Sequence, residues 1–334
     1  MSGAFDRYMD TSKGNAFAGK YADAKPEENA DCPLCRSPER GVWYSMGPFN
    51  SVKCLECGTK YVTPRFDDNQ FDEYYSETLF TESVDYEGRR HNMLDPEERA
   101  RKRRDMEIEI GVVLEALPDG GDVLDVGCQT GIFLEALPDG YRKHGVERSK
   151  WAAGKCAEIT GGKIVNAKIE DAEFAENSFD AINMSYVMEH LPDPLPVTRK
   201  IASWLKPGGL MVVSIPNFDS FCARWFKEFY RLADPRQHIF LTTPKSLENV
   251  LSLAELTVER TWKPFWGTPY ANPRELLRLP LNAIRKFFLP FSMAWGASPK
   301  PEKLVSPPFY GNIVVMAARK NGKDPNNDLL QKKF

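Results

Sequence analysis

The chain has 334 residues, of which 42% are hydrophobic and 27% charged, with a formal net charge of −3 and a pI near 6.0. That length and composition suit a globular protein with one domain of about 200 residues and one or two smaller units. They exclude a global attraction to nucleic acid. The sequence has neither the roughly 18 apolar residues a membrane helix needs nor the basic-then-apolar start of a signal peptide, so a cytoplasmic location is expected.

Residues 1–31 mix Gly, Ala, Asp, Lys and Asn without apolar periodicity, which predicts a mobile leader. Residues 32–64 hold two Cys-x-x-Cys pairs, Cys32/Cys35 and Cys54/Cys57, with 18 residues between them and β-like runs at 41–44 and 60–63. Four thiolates at this spacing point to one structural zinc ion, folding a segment with too little core of its own. The other three of the seven cysteines, Cys128, Cys156 and Cys222, read as packing residues. Residues 65–119 form a linker ending in a helix over 95–116, whose first turn carries Pro96, Glu97 and Glu98.

From 120 to 320 the pattern alternates. Strand-like runs fall at 122–126, 144–147, 163–165, 179–187 and 210–215, with helical segments such as 150–159 and 196–205 between them. A helix from 244 to about 254 then precedes strands at 256–262 and 312–318. Such alternation predicts a doubly wound α/β fold with a parallel sheet covered on both faces. An insertion at 263–311, rich in Pro and aromatics, is far longer than a hairpin needs, and 321–334 form a tail.

The run Val123-Leu124-Asp125-Val126-Gly127-Cys128-Gln129-Thr130-Gly131 is an apolar strand entering a turn with two glycines. A dinucleotide fingerprint aligned on Gly127 needs glycine at 129 and 132, where Gln129 and Ile132 stand. Asp125 inside the turn would repel a pyrophosphate and attract an ammonium group. Glu147, about 20 residues on, has the spacing of a carboxylate that accepts both ribose hydroxyls. Together they suggest a nucleoside joined to an amino acid.

With Ser178-Phe179-Asp180, Met188-Glu189-His190-Leu191-Pro192-Asp193-Pro194 and Leu205-Lys206-Pro207-Gly208-Gly209 following in order, residues 120–262 resemble the class I S-adenosylmethionine-dependent methyltransferases. The resemblance implies a mostly parallel, Rossmann-like seven-stranded sheet. It implies that Asp125, Gly127 and Gly131 line the methionine part of the cofactor, that Cys128 and Ser185 also belong to the cofactor site, that Glu147 holds the ribose, and that Ile169 and Glu170 flank the adenine. Gln129, where glycine is frequent, and Lys168, where an acid is frequent, depart from the family pattern.

Methyl transfer is an in-line displacement, so the protein must position an acceptor and, for a hydroxyl, remove a proton. The candidate bases are His238, Tyr186, His190 and Glu189; His238 is preferred, because His190 lies in a stretch common to the family whatever the acceptor. Further likeness from Pro216-Asn217 through Asp234-Pro235-Arg236-Gln237-His238, with the cysteine module, resembles a bacterial group associated with sugars, polysaccharides and secondary metabolites. The expected partner is therefore a small-molecule or sugar acceptor, methylated on oxygen, with nucleic acid disfavoured. The basic run Arg99–Arg104 keeps open an RNA methyltransferase using that helix and the cysteine module. Its acidic neighbours read more simply as a mixed solvated face. A non-catalytic zinc-dependent scaffold is the third reading. In the insertion, Ile284–Phe291 and Trp295 set aromatics beside cations, which suits a lid, a dimer contact or a weak membrane-surface contact, the lid being favoured.

Overall fold

The computed structural model describes residues 24–26, 28–67, 70, 80–81, 83–84, 90–266, 268, 271–294 and 304–321. The expected leader up to residue 23, Trp295 and the tail beyond 321 lie outside them.

Seven strands form the main sheet: β6 (Gly121–Val126), β7 (Tyr141–Glu147), β8 (Lys163–Asn166), β9 (Phe179–Ser185), β10 (Leu205–Pro216), β12 (Leu256–Trp262) and β13 (Ile313–Lys320). Their order is β12-β13-β10-β9-β6-β7-β8. Strands β6 to β10 pair in parallel, whereas β13 runs antiparallel between β10 and β12. The order reverses at β6, so the crevice at the carboxyl ends of β6 and β9 is where an open sheet of this kind receives a ligand. This is the mostly parallel, Rossmann-like sheet expected from the sequence.

Side-chain alternation along the strands supplies two cores. Leu124, Ile182, Met211 and Val213 face one side with Ile201, Leu247 and Val250 from helices α5 (Pro194–Trp204) and α7 (Pro244–Leu253). Val123, Ala181 and Val212 face the other, with Ile110 and Val113 of α2 (Glu107–Ala116) and Phe133 of α3 (Ile132–Ala136). Helix starts are locally encoded: Ser149 accepts from the Ala152 N–H to cap α4 (Lys150–Thr160), and Thr243 with Ser246 forms a capping box on α7.

Two of the differences from the sequence expectation bear on the site. The single helix over 95–116 is two, α1 (Pro96–Asp105) and α2, broken at Met106 with φ −104° and ψ 16°. The break turns Lys102, Asp105 and Met106 toward a cavity. The strand read as 179–187 stops at Ser185, because Tyr186 has φ +57° and leaves the strand.

The cysteine-bearing segment forms β1 (Arg40–Met46), β2 (Phe49–Cys54) and β3 (Lys60–Thr63), its sheet is completed by β11 (Phe240–Leu241) from the α/β domain, and the short β4 (Ser83–Val84) and β5 (Arg90–His91) pair with each other. The apolar face of the cysteine-bearing segment is completed the same way. Tyr44, Met46, Phe49 and Val62 pack with Phe218, Phe226, Phe229 and Tyr230, and with Leu289 of α8 (Pro273–Ala294). The last residues expected in the leader are held too: Ala30 is buried and donates to Thr63 Oγ1, and Glu28 pairs with Arg65.

Phe49, fully buried in this shared core, should cost roughly 3–5 kcal/mol of stability as Phe49→Ala. Val42→Ala, on a side chain 60% exposed, should stay within about 0.5 kcal/mol. Urea unfolding monitored by circular dichroism compares the two; equal effects would mean that the module does not share the core.

Candidate functional site

The turn after β6 is left-handed at Gly127 (φ +71°), Gln129 (φ +47°) and Gly131 (φ +83°). A Cβ at 127 would lie 2.6 Å from Val187 Cγ2, and one at 131 would lie 2.6 Å from Thr160 Cγ2 and 2.8 Å from Cys156 Sγ. Gly127 thus lets the turn close against the loop after β9. Gly131 lets α3 meet α4, and it lines neither of the cavities described below.

The donors of this turn point inward. Gly127 and Cys128 N–H both donate to Val146 O (2.8 and 3.1 Å), Gly131 N–H to Cys128 O (2.8 Å), and Gln129 N–H to the Glu147 carboxylate (3.0 Å). They form no cradle for a phosphate. The acidic groups beside the turn are the carboxyls of Asp125 and Glu147. Asp125, buried at the end of β6, accepts from Asn183 Nδ2 (2.7 Å), and Ser185 Oγ donates to Asn183 Oδ1 (2.8 Å). Burial pushes the Asp125 carboxyl up to about 7, opposed by the Asn183 hydrogen bond. Glu147 is raised by burial too, although the Ser149 and Gln129 amides hold it down.

Two cavities meet at this turn, and both are lined by Gly127, Gln129 and Tyr186. One, of about 330 Å³, is walled by Glu147, Lys168, Ile169, Glu170 and His190. The other, of about 310 Å³, runs past Asp125, Cys128, Asn183 and Ser185 to Glu189, His238, Lys102 and Arg231. Pro264, Phe265, Thr268, Pro308 and Phe309, from both ends of the insertion, close its apolar side. Of the residues singled out in the sequence for the cofactor and the chemistry, all but Gly131 line one cavity or the other.

The histidines divide between the cavities. His238 Nδ1 lies 2.5 Å from Leu232 O and His190 Nδ1 2.8 Å from Gln237 O, with ring centroids 5.0 Å apart. The Leu232 carbonyl selects the Nδ1–H tautomer of His238, which directs its lone pair to Nε2, whereas the His190 ring also meets the Tyr186 carbonyl. Burial lowers both pKa values, His190 to about 3, so both rings are neutral at pH 7. Glu189, Gln237 and His238 flank one backbone link: Ile239 N–H donates to Glu189 O (2.9 Å), and Ile239 O accepts from Val62 of β3 (2.8 Å). The Glu189 side chain is fully buried, both its oxygens lack a hydrogen-bond partner among the described residues, and it lies within 4.8 Å of a ring nitrogen of each histidine. Burial pushes its carboxyl up to about 8.

The sequence reading missed Lys102 and Arg231. Lys102 sat in a basic run read as a solvated face, but Lys102, Asp105 and Met106, at i, i+3 and i+4, share the face that lines the cavity. Burial lowers the Lys102 ammonium's pKa.

The four module cysteines converge so that all sulfurs lie within 4.8 Å of one another, with Cys32–Cys57 and Cys35–Cys54 each at 3.5 Å. A tetrahedral ion bonded at about 2.3 Å would separate its sulfurs by roughly 3.8 Å, so the set fits one metal. Cys32 and Cys54 are buried, and Cys35 and Cys57 face outward.

Residues 99–261 match the family described as a methyltransferase domain. The match falls within the seven-stranded unit described above, whose strand order is that of the Rossmann-like methyltransferase fold. An uncharacterised protein of Methanocaldococcus jannaschii is 31% identical over 125 residues, which cover 36% of this chain and 58% of the relative. (S)-coclaurine N-methyltransferase of Papaver somniferum is 30% identical over 108 residues, covering 29% of this chain and 30% of that enzyme. The chain thus spans less than two thirds of either relative. The solved structure of the PH0226 protein from Pyrococcus horikoshii aligns at 16% identity with a TM-score of 0.47, over 75% of this chain and 99% of that one.

Because the folded Glu189 binds its proton more tightly than the ordinary carboxylate near 4.3, stability should fall as pH rises from there to about 8 and then level off. Glu189→Gln should flatten that slope and gain most at pH 8 and above. Thermal unfolding across pH checks this; parallel curves for the two proteins would show that Glu189 is ionised in the folded state.

Proposed function

We propose that the protein transfers a methyl group from S-adenosylmethionine to a hydroxyl of a small molecule or sugar precursor. The observation that carries this is the meeting of the two cavities at Gly127 and Tyr186, one rimmed by Glu147 and the other holding a neutral His238. In this reading Glu147 accepts the ribose hydroxyls, and Ile169 and Glu170 flank the adenine. Asp125 holds the ammonium side of the methionine part, along a wall formed by Gly127, Cys128 and Ser185. S-adenosylmethionine, when bound, supplies an electrophilic methyl group on a sulfonium.

His238 takes the proton of the acceptor hydroxyl on Nε2, its ring being fixed by the Leu232 carbonyl. Tyr186, at the junction, orients the acceptor, while His190, on the cofactor side, braces the loop through Gln237. Lys102 and Arg231 suit an acceptor with acidic or densely hydroxylated groups. The (S)-coclaurine relative acts on nitrogen by its name, and a neutral amine would need no base. The RNA alternative loses ground because Arg99 is tied to Thr130 and Glu135, Arg101 to Glu98 and Asp105, and Lys102 lines the cavity.

The four cysteines hold zinc as a structural ion in this account. Their module carries β3, which pairs with β11 just after His238, so the metal acts on catalysis through backbone position.

By titration calorimetry, Asp125→Ala and Glu147→Ala should each weaken S-adenosylmethionine binding by roughly 1.5–3 kcal/mol. His238→Ala should lower kcat on a hydroxyl acceptor about 10²–10⁴-fold with cofactor affinity unchanged. Unaltered affinity in both carboxylate variants would remove the pocket from this place, and undiminished turnover in His238→Ala would exclude it as the base. Metal analysis should find one zinc per chain. Its chelation should lower kcat at least tenfold while S-adenosylmethionine affinity holds; loss of both together would mean that the whole fold depends on the ion.

A further inference from the structure

We propose that α8 docks the protein on the surface of anionic membranes, lying flat at the headgroup level. On this helix Leu277, Leu281, Ile284 and Phe288 are 71, 46, 56 and 56% exposed. Their spacing of i, i+4, i+7 and i+11 sets them in one line along the outer face, with Phe287, 58% exposed, beside it. The opposite face is anchored: Leu279, Ala283 and Leu289 pack into the core shared with the cysteine module, Asn282 donates to Val305 O, and Lys286 donates to Phe226 O. The line is therefore the outward face of an anchored helix. Five large apolar side chains in a row on a secured helix exceed the scattered exposure usual on a soluble surface.

Charge selects the occupant. At 3.6 residues per turn, Arg274, Arg278 and Arg285 fall along one edge of the apolar line. Against these three the helix to Ala294 carries a single acid, Glu275, which is paired with Arg278, while Lys286 on the anchored face is paired with Glu228. Arg274 and Arg285 are exposed, on a chain whose net charge is −3. A second copy would bring the same apolar line with the same cations and no carboxylate to meet them. A bilayer with anionic headgroups offers an apolar layer below and negative charge at the edge, which is the arrangement an interfacial amphipathic helix requires. Neighbouring α6 (Phe221–Phe226) exposes a stacked pair, Phe221 and Trp225, with Arg224 between them in sequence.

This inference is independent of the reaction proposed above. It is tested by flotation of the full chain with vesicles of phosphatidylcholine alone and of phosphatidylcholine mixed with phosphatidylglycerol, at low and high salt. The protein should float with the mixed vesicles at low salt, less at high salt, and not with phosphatidylcholine alone. Ile284→Asp should reduce binding at least about tenfold, and Arg274→Gln with Arg285→Gln about fivefold for each arginine. Both variants alter exposed side chains, so circular dichroism and S-adenosylmethionine affinity should match the parent and separate lost docking from lost folding. Failure to float with mixed vesicles at low salt, or flotation indifferent to lipid charge, would overturn the proposal. So would a dimer in sedimentation that Ile284→Asp dissociates, since the face would then belong to a second copy.

Discussion

The site depends on the way one turn disposes of its backbone. After β6 the chain closes tightly enough to donate the amides of Gly127, Cys128 and Gln129 to β7 and Glu147, and this closure requires left-handed backbone at three positions within five residues. A loop that keeps its N–H groups for itself cannot gather negative charge. What remains at its rim is acidic, with Asp125 on one side and Glu147 on the other. The same hydrogen bond that tethers Gln129 also orients the Glu147 carboxylate, so the turn and the second strand are set as a unit. Gln129 in place of glycine is therefore compatible with the fold: its side chain is tolerated at φ +47° because its amide is anchored.

The second constraint runs through Ile239. Its carbonyl accepts from Val62 of the cysteine module and its amide donates to the carbonyl of Glu189, so one residue connects the module, the loop after β9 and the segment that carries His238. The module lacks enough apolar surface to fold alone and completes both its sheet and its core with the α/β domain. Lys60 adds a bond to Phe218 O and an ion pair with Asp219. An element that looks like an appendage in the sequence thereby braces the segment that carries His238. The buried Glu189 beside this link, without a hydrogen-bond partner among the described residues, is the kind of costly group that packing alone would not retain.

Much of this was legible in the residues. The parallel strands announce themselves because they are short, apolar and stopped by glycine turns, and Asp125 with Glu147 can be read as anion-excluding because their positions at strand ends follow from the pattern. The two Cys-x-x-Cys pairs needed only spacing. What stayed hidden depends on contacts distant in sequence. Phe240–Leu241 is too short to read as a strand and exists only because β3 lies beside it. The break at Met106 occurs without Pro or Gly, so propensity gives no sign of it. Lys102 looks solvated until that break turns it inward. Gly131 sits in the fingerprint but serves a helix contact with Cys156 and Thr160, a use that a linear motif does not distinguish from ligand contact.

The central claim is that the turn after β6 receives a cation beside a carboxyl that burial has raised to about 7. Titration calorimetry of S-adenosylmethionine near that pH, in buffers of different ionisation enthalpy, counts the protons exchanged on binding. The account predicts net proton release that vanishes in Asp125→Asn, and no detectable binding of NAD. Proton uptake, or a dinucleotide bound as well as the sulfonium compound, would contradict it.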